Sequence, residues 1–111
     1  MNIQQFDAFL NSLEEIKNIG TNNMPELQFI RQEVKEARRL SQYGERRIAL
    51  ENLLDNLLET SIPLCKTTID LAEEAFDTPL STYEKKLLQL HRMRLFGAEE
   101  GSSSQSKTNE N

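Results

Sequence analysis

Apolar residues recur at intervals of three and four along the first 96 residues, and no stretch of them alternates every second residue as a half-buried strand does. Spacings of three and four place side chains on one face of an α-helix, because the helix repeats about every 3.6 residues. The sequence therefore predicts an all-α fold, a compact bundle of about five amphipathic helices. A chain of 111 residues has room for one domain with a single core.

The first two predicted helices are separated at Gly20. The first is expected to end near Asn18 to Gly20, and its apolar face comprises Ile3, Phe6, Leu10, Leu13 and Ile16. The second is expected to begin with Asn23 as its cap and Pro25 in its first turn, and to end at Tyr43-Gly44. Its apolar face comprises Leu27, Ile30, Val34, Ala37 and Leu40.

The third predicted helix runs from about Glu45 to Thr60 and is the most strongly patterned element. Its broad apolar stripe comprises Leu50, Leu53, Leu54, Leu57 and Leu58. We expect Leu50, Leu53 and Leu57 to lie in the core. Pro63 then interrupts the pattern.

Two capping patterns predict the starts of the last two helices. Thr67 followed by Asp70 resembles a capping box that opens a fourth helix to about Phe76, with Ile69 and Ala72 on its buried side. Ser81 with Glu84 has the spacing of a capping box before a fifth helix that ends near Phe96. The apolar positions of that helix are Leu87, Leu90 and Leu95.

Residues 97–111, with the sequence GAEEGSSSQSKTNEN, contain no large apolar side chain. Ordering them would cost conformational entropy with no burial to offset it. The sequence therefore divides into a helical domain at 1–96 and a flexible polar tail at 97–111.

The net charge of −5 disfavours nucleic acid and anionic membrane surfaces and favours a basic partner. The single cysteine excludes an internal disulfide and fits a reducing compartment. Met1 to Leu10 lacks the basic and apolar regions of a secretory signal, and the apolar runs are far shorter than the roughly 20 residues that cross a bilayer. We expect a soluble, cytoplasmic protein.

Residues that support catalysis are scarce in this chain. We interpret the only histidine, His91, as a partly exposed helical side chain, and Cys65 as a small buried hydrophobic residue. A reactive thiol remains an alternative because Lys66 is adjacent. No nucleophile with a supporting base and no phosphate-binding glycine loop is present. The sequence predicts no enzyme activity, no cofactor and no metal.

Acidic side chains form two ridges that are candidate contacts for a protein partner. The third-helix ridge comprises Glu51, Asp55 and Glu59, and the fourth-helix ridge comprises Asp70, Glu73, Glu74 and Asp77. Like charges at a spacing of four cost a helix a few tenths of a kcal/mol, roughly, unless nearby cations or a partner compensate. The fourth-helix ridge lies opposite the apolar face of its helix and is expected to face water. A solvated face without any partner remains the alternative for each ridge.

A basic cluster surrounds the Tyr43-Gly44 turn and comprises Arg38, Arg39, Arg46 and Arg47. We interpret it as pairing with the acids of the same segments, Glu33, Glu36, Glu45 and Glu51. No aromatic residues interleave with the arginines to stack on bases. A helix-turn-helix that binds DNA stays a minor alternative.

The stretch from Tyr43 to Leu57, YGERRIALENLLDNL, and the following Ile62-Pro63-Leu64 resemble bacterial immunity proteins of the MafI type. The similar features are the Gly-Glu turn, the Ala-Leu-Glu-Asn-Leu core and a proline before another acidic helix. The resemblance covers about Leu40 to Phe76. The polar tail and the arginine-rich run before Tyr43 depart from the simplest members of that family.

The resemblance implies a small helical protein that binds a cognate secreted toxin, often a basic nuclease, and blocks it in the producing cell. Charge mimicry by an acidic helix would suit such a partner. The two ridges are therefore the predicted contacts, and a helical adaptor or a small transcriptional regulator is the alternative function. The sequence does not identify the toxin or the oligomeric state.

Overall fold

The computed structural model describes residues 1–16 and 24–103, and within these residues it contains five α-helices and no β-strand. The all-α fold class is confirmed. The helices are α1 (Ile3–Glu14), α2 (Met24–Gln42), α3 (Arg46–Leu57), α4 (Lys66–Phe76) and α5 (Thr82–Ser103).

Helix α1 ends at Glu14, earlier than the predicted end near Asn18 to Gly20. The Asn2 side chain caps its start by accepting a hydrogen bond from the Gln5 N–H at 3.2 Å. At its end, the Ile16 N–H bonds to the Leu13 carbonyl at 3.2 Å, a tighter turn that stops the α-helical pattern. The predicted stop at Gly20 and the predicted cap at Asn23 lie outside the described residues.

Helix α3 begins at Arg46, directly after a turn in which Gly44 has a φ of +77°. It ends at Leu57 rather than at Thr60. Residues 58–60 instead form tighter turns, in which the Thr60 N–H and hydroxyl both donate to the Leu57 carbonyl, at 3.1 and 2.9 Å. The hydroxyl occupies the carbonyl that a continuing helix would use, which explains the early end.

The capping box predicted for the fourth helix is wrong, whereas that of the fifth is confirmed. Cys65 is the N-cap of α4 and its side chain makes no capping bond, while Asp70 binds other side chains instead. In α5 the Glu84 N–H donates to Ser81 Oγ at 3.1 Å, and the Ser81 N–H donates to Glu84 Oε1 at 2.9 Å.

Helix α5 continues to Ser103, past its predicted end near Phe96 and into the predicted tail at 97–111. Residues 104–111 of that tail lie outside the described residues.

One core joins the five helices. Helix α1 packs most extensively on α4, α2 packs on α3, and α5 packs on both α3 and α4. The predicted core positions Leu50, Leu53 and Leu57 are each at most 1% exposed, which confirms the register of α3. None of the described helices combines the length and the apolar character needed to cross a membrane.

Candidate protein-binding surfaces

The third-helix ridge divides into one half-buried and two exposed carboxylates. Glu51 is half-buried, whereas Asp55 and Glu59 are exposed. Two large hydrophobic side chains near these acids are half exposed. Ile48 lies two helical turns before Asp55 on α3 and is 49% exposed, and Tyr83, whose phenol is influenced by the Asp55 charge, lies at the start of α5 and is 47% exposed. We call Ile48, Asp55, Glu59 and Tyr83 the α3 face.

The charge of the α3 face is not compensated within the described part of the chain. No salt bridge there involves Asp55 or Glu59. The pKa of the Tyr83 phenol is raised, first by partial burial and then by the negative charges of Asp55 and Glu51. The phenol therefore lies within the field of the ridge, and the face combines an aromatic ring with open carboxylates.

A small cavity of about 220 Å³ adjoins the Glu59 end of the α3 face. Pro25 and Phe29 of α2 line it together with Glu59 and Thr60. The remaining lining residue, Glu26, accepts hydrogen bonds from the Ser61 hydroxyl at 2.6 Å and the Ser61 N–H at 3.0 Å, which hold its pKa below the ordinary value. Phe29 thus gives this end of the face a partly buried apolar wall.

Glu51 belongs to an internal charge network and is not an open contact. Burial raises the pKa of Glu51, and the neighbouring Glu84 carboxylate raises it further. Although burial opposes it, the Arg47 guanidinium together with the Ser81 N–H lowers the pKa of Glu84 to about 2. The three charged groups therefore act as one unit between α3 and α5.

The fourth-helix ridge faces water at Glu73, Glu74 and Asp77, as predicted, while Asp70 is half-buried. Two of its acids are neutralised by Arg92 of α5, whose Nη2 lies 2.9 Å from Asp70 and 2.6 Å from Glu73. Lys66 Nζ adds a second contact to Asp70 at 2.9 Å. These hydrogen bonds from Lys66 and Arg92 lower the pKa of Asp70.

The other two acids of the fourth-helix ridge have weaker partners. Glu74 accepts a hydrogen bond from the neutral Gln5 amide. Asp77 accepts one from the Thr78 N–H at 3.1 Å, and its Oδ2 lies 4.0 Å from the Met1 amine. The two predicted ridges therefore differ, because cations on α5 and α4 compensate half of the fourth-helix ridge and none of the exposed third-helix ridge.

Three of the four arginines in the basic cluster form ion pairs, but only one of them pairs with an acid of its own segment, as predicted. Arg39 pairs with Glu36 at 2.5 Å, as expected, and its guanidinium lies 5.9 Å from the centre of the Tyr43 ring. Arg38 reaches across to Glu14 of α1 at 3.0 Å, and Arg47 reaches Glu84 of α5. These partners lie on other helices, so local spacing does not reveal them. Arg46 Nε is buried without a hydrogen-bond partner in the described residues.

The predicted environments of His91 and Cys65 are both wrong. His91 is buried, 1% exposed, and its Nε2 lies 2.8 Å from the Leu54 carbonyl. The signal for this burial is present in the sequence, because His91 follows Leu87 by four residues and Leu88 by three. Cys65 is exposed; it is the N-cap of α4, and the buried side chains of that helix begin only at Thr68.

Among the residues that the structure describes, no group of three or more histidine, cysteine or acidic side chains is arranged to hold a metal ion. Comparison with protein-family models, with curated proteins and with solved structures finds no match to this chain. The resemblance to MafI-type immunity proteins stays a prediction from the sequence.

Proposed function

We propose that this protein is a stoichiometric inhibitor of the immunity type, which binds a basic toxin through the α3 face and blocks it in the producing cell. The observation that carries the proposal is the uncompensated charge of Asp55 and Glu59 beside the half-exposed Ile48 and Tyr83. The resemblance of residues 40–76 to MafI-type proteins adds the expectation that the partner is a toxin.

The composition of the α3 face suits a protein interface. Tyrosine is enriched among the residues that carry most of the binding energy, because it buries a large rigid surface on association. Open carboxylates beside such an anchor attract a basic surface and orient it during the encounter. The cavity beside Glu59, with Phe29 on its wall, gives a partner side chain a place to insert.

The negative charge of the α3 face is the reason for proposing a basic partner. The chain carries a net charge of −5, so its long-range field already favours cations. Asp55 and Glu59 concentrate that field, whereas Asp70 and Glu73 are quenched by Arg92. Of the two predicted ridges, the third-helix ridge is therefore the stronger candidate for the contact.

The decisive experiment is co-purification of the untagged protein from its host, with mass spectrometry of whatever binds at one-to-one stoichiometry. The proposal expects a basic protein whose toxic activity disappears at one equivalent of this chain. Capture of a protein without such activity would replace the immunity function by the adaptor alternative. Binding to a promoter fragment that collapses with salt would indicate the regulator alternative.

A matched pair of variants then tests the face. We expect Asp55→Lys with Glu59→Lys to slow association at low ionic strength by at least about tenfold. Asp7→Lys with Glu15→Lys changes the net charge by the same amount at two exposed positions of the first 16 residues and should leave association within about twofold of the parent. Equal slowing by both pairs would show that net charge alone acts, and would remove the α3 face as the contact.

A further inference from the structure

Two adjoining cavities form a groove between the end of α4, the connection at residues 77–81 and the first half of α5. Their volumes are about 420 and 390 Å³, and they share Glu73 and Leu80 as lining residues. Cavities of this size are in the range that holds ligand groups of several heavy atoms. We call the pair the α4–α5 groove.

The larger section of the α4–α5 groove has apolar walls. Leu80, Leu88 and Met93 line it, and Met93 is 57% exposed. The flexible thioether of an exposed methionine adapts to different apolar partners. Lys85 and Arg92 contribute to the same section, but Arg92 already pairs with Asp70 and Glu73.

The smaller section of the groove is acidic. Glu74 and Asp77 line it with Asn2 and Thr78. The Glu74 carboxylate contacts only a neutral amide among the described side chains, so its charge is not cancelled by that contact. Glu73 lies where the two sections meet, and its charge is balanced by Arg92. Asp77 has the Met1 amine 4.0 Å from its Oδ2, a long contact at a 61% exposed side chain. The negative end of the groove therefore consists of Glu74, which has no cation against it, and Asp77, which is only weakly paired, and it lies beside an apolar end.

We propose that the α4–α5 groove binds an extended polypeptide segment of a partner that carries an arginine or lysine and, two residues later, a large apolar side chain. In an extended chain, side chains two positions apart project to the same side about 6 to 7 Å apart, which suits two adjoining sections. The cation would lie against Glu74 and Asp77, and the apolar side chain against Leu80 and Leu88. This site is separate from the α3 face, and the inference holds whether or not that face binds a toxin.

The test uses a short synthetic peptide as the probe, acetyl-Arg-Ala-Leu-Ala-amide, with acetyl-Glu-Ala-Leu-Ala-amide as its charge-swapped control. Methyl NMR of the full chain is recorded during titration. We expect saturable shifts of the Leu80, Leu88 and Met93 methyl groups with the arginine peptide and at least about tenfold weaker binding of the glutamate peptide. No saturable shift, equal affinity for both peptides, or shifts centred on other residues would overturn the proposal.

Two double variants complete the test. Glu74→Gln with Asp77→Asn removes the negative end of the groove, and asparagine keeps the shape of Asp77 and the side-chain oxygen that accepts from the Thr78 N–H. It should weaken the arginine peptide by at least about tenfold. Asp55→Asn with Glu59→Gln removes the same charge from the α3 face and should leave peptide affinity unchanged. If both pairs weaken the peptide equally, its attraction is to net charge and the groove is not its site.

Discussion

The Arg47 guanidinium donates two hydrogen bonds, each 2.5 Å long, to the wholly buried carboxylate of Glu84, and so ties the start of α3 to the start of α5. It also donates to the carbonyl oxygens of Phe76 and Pro79, at 3.3 and 3.2 Å. One side chain therefore holds the end of α4, the connection to α5 and the cap of α5 in place. Leu80, which lines both sections of the α4–α5 groove, directly follows Pro79 in this connection.

Arg47→Ala is expected to destabilise the fold, because it leaves the buried Glu84 carboxylate without its cation. Losing one partner of a fully buried pair costs about 3–5 kcal/mol, and water around the 42% exposed Arg47 side chain should reduce this to about 2 kcal/mol. Urea unfolding measures the change. Arg39→Ala, which breaks the exposed pair with Glu36, is the control and should cost below about 1 kcal/mol. Equal losses in both variants would contradict a special role for the Arg47 pair.

Leu53→Ala should lower the free energy of unfolding by about 2–5 kcal/mol, because a residue 1% exposed leaves a cavity in the core. Leu58→Ala, at a half-buried position of the following turn, should cost clearly less. Both values come from the same denaturant series. A Leu53→Ala loss no larger than that of Leu58→Ala would mean that the α3 register is incorrect.

Stability should fall as the pH drops below 6.5. Burial lowers the pKa of His91 below 6.5, and the nearby Arg94 charge acts in the same direction, although the bond to the Leu54 carbonyl opposes both. Between pH 6.5 and the lower folded pKa, the unfolded chain therefore binds a proton that the folded chain does not. The stabilising contribution is full above pH 6.5 and is lost through that window.

His91→Gln tests this origin, since glutamine retains a donor for the Leu54 carbonyl but does not titrate. Urea unfolding at a series of pH values should show a shallower decline below pH 6.5 in the variant. Glu84 titrates lower, from 4.5 unfolded to about 2 folded, and its loss follows at more acidic pH. The raised pKa of Glu51 acts in the opposite sense, but it is common to both proteins. Parallel curves for parent and variant would exclude His91 as the cause.

The Cys65 thiol should react with a disulfide reagent in the native state, because the residue is exposed. Burial tends to raise its pKa, but the hydrogen bond with Thr68, whose Oγ1 lies 3.3 Å from Sγ, and the backbone N–H groups at the start of α4 lower it overall. Thr68→Val should therefore shift the pH midpoint of the reaction upward. Reaction only after addition of denaturant would show that the thiol is buried after all.

Tyr83→Ala should weaken partner binding by about 1–2 kcal/mol or more if the α3 face is the interface. The effect on folding should be small, because the ring is 47% exposed. Tyr43→Ala removes the same side chain at a 70% exposed position outside the α3 face and serves as the control. Calorimetry with the co-purified partner measures both. Loss of affinity in the control alone would move the contact to the Tyr43 turn.

Local sequence patterns predicted the helices and most of the core, because helical spacing and caps depend on neighbours within a few residues. The Ser81 and Glu84 capping box is an example of such a local signal. Asp70 had the same kind of pattern, yet its carboxylate binds Lys66 and Arg92. An acidic side chain that has a cation on another helix is no longer available for its own N-terminus, and sequence spacing does not show that cation.

The candidate site was likewise predicted only where it depends on local spacing within one helix. The positions of Asp55 on α3 and of Glu59 in the turn after it, both beside the leucine stripe, follow from the spacing of the leucines. Tyr83 was not predicted to join them, because it lies on another helix and is brought there only by the packing of α5 on α3. The burial of Glu84 was also unforeseen, since its capping role alone would leave it at the surface.

The packing of α1 on α4 sets an order of events during synthesis. The Asn2 N–H donates to the Ala75 carbonyl at 2.9 Å, so the start of α1 is completed by the end of α4. Phe6 and Phe9 of α1 are both 0% exposed in the fold, and because α1 packs most extensively on α4, their face lacks its main partner in a nascent chain until α4 has followed. Helix α1 is synthesised before α4, so a pause in translation between the two would leave the apolar face of α1 open to chaperones or to aggregation.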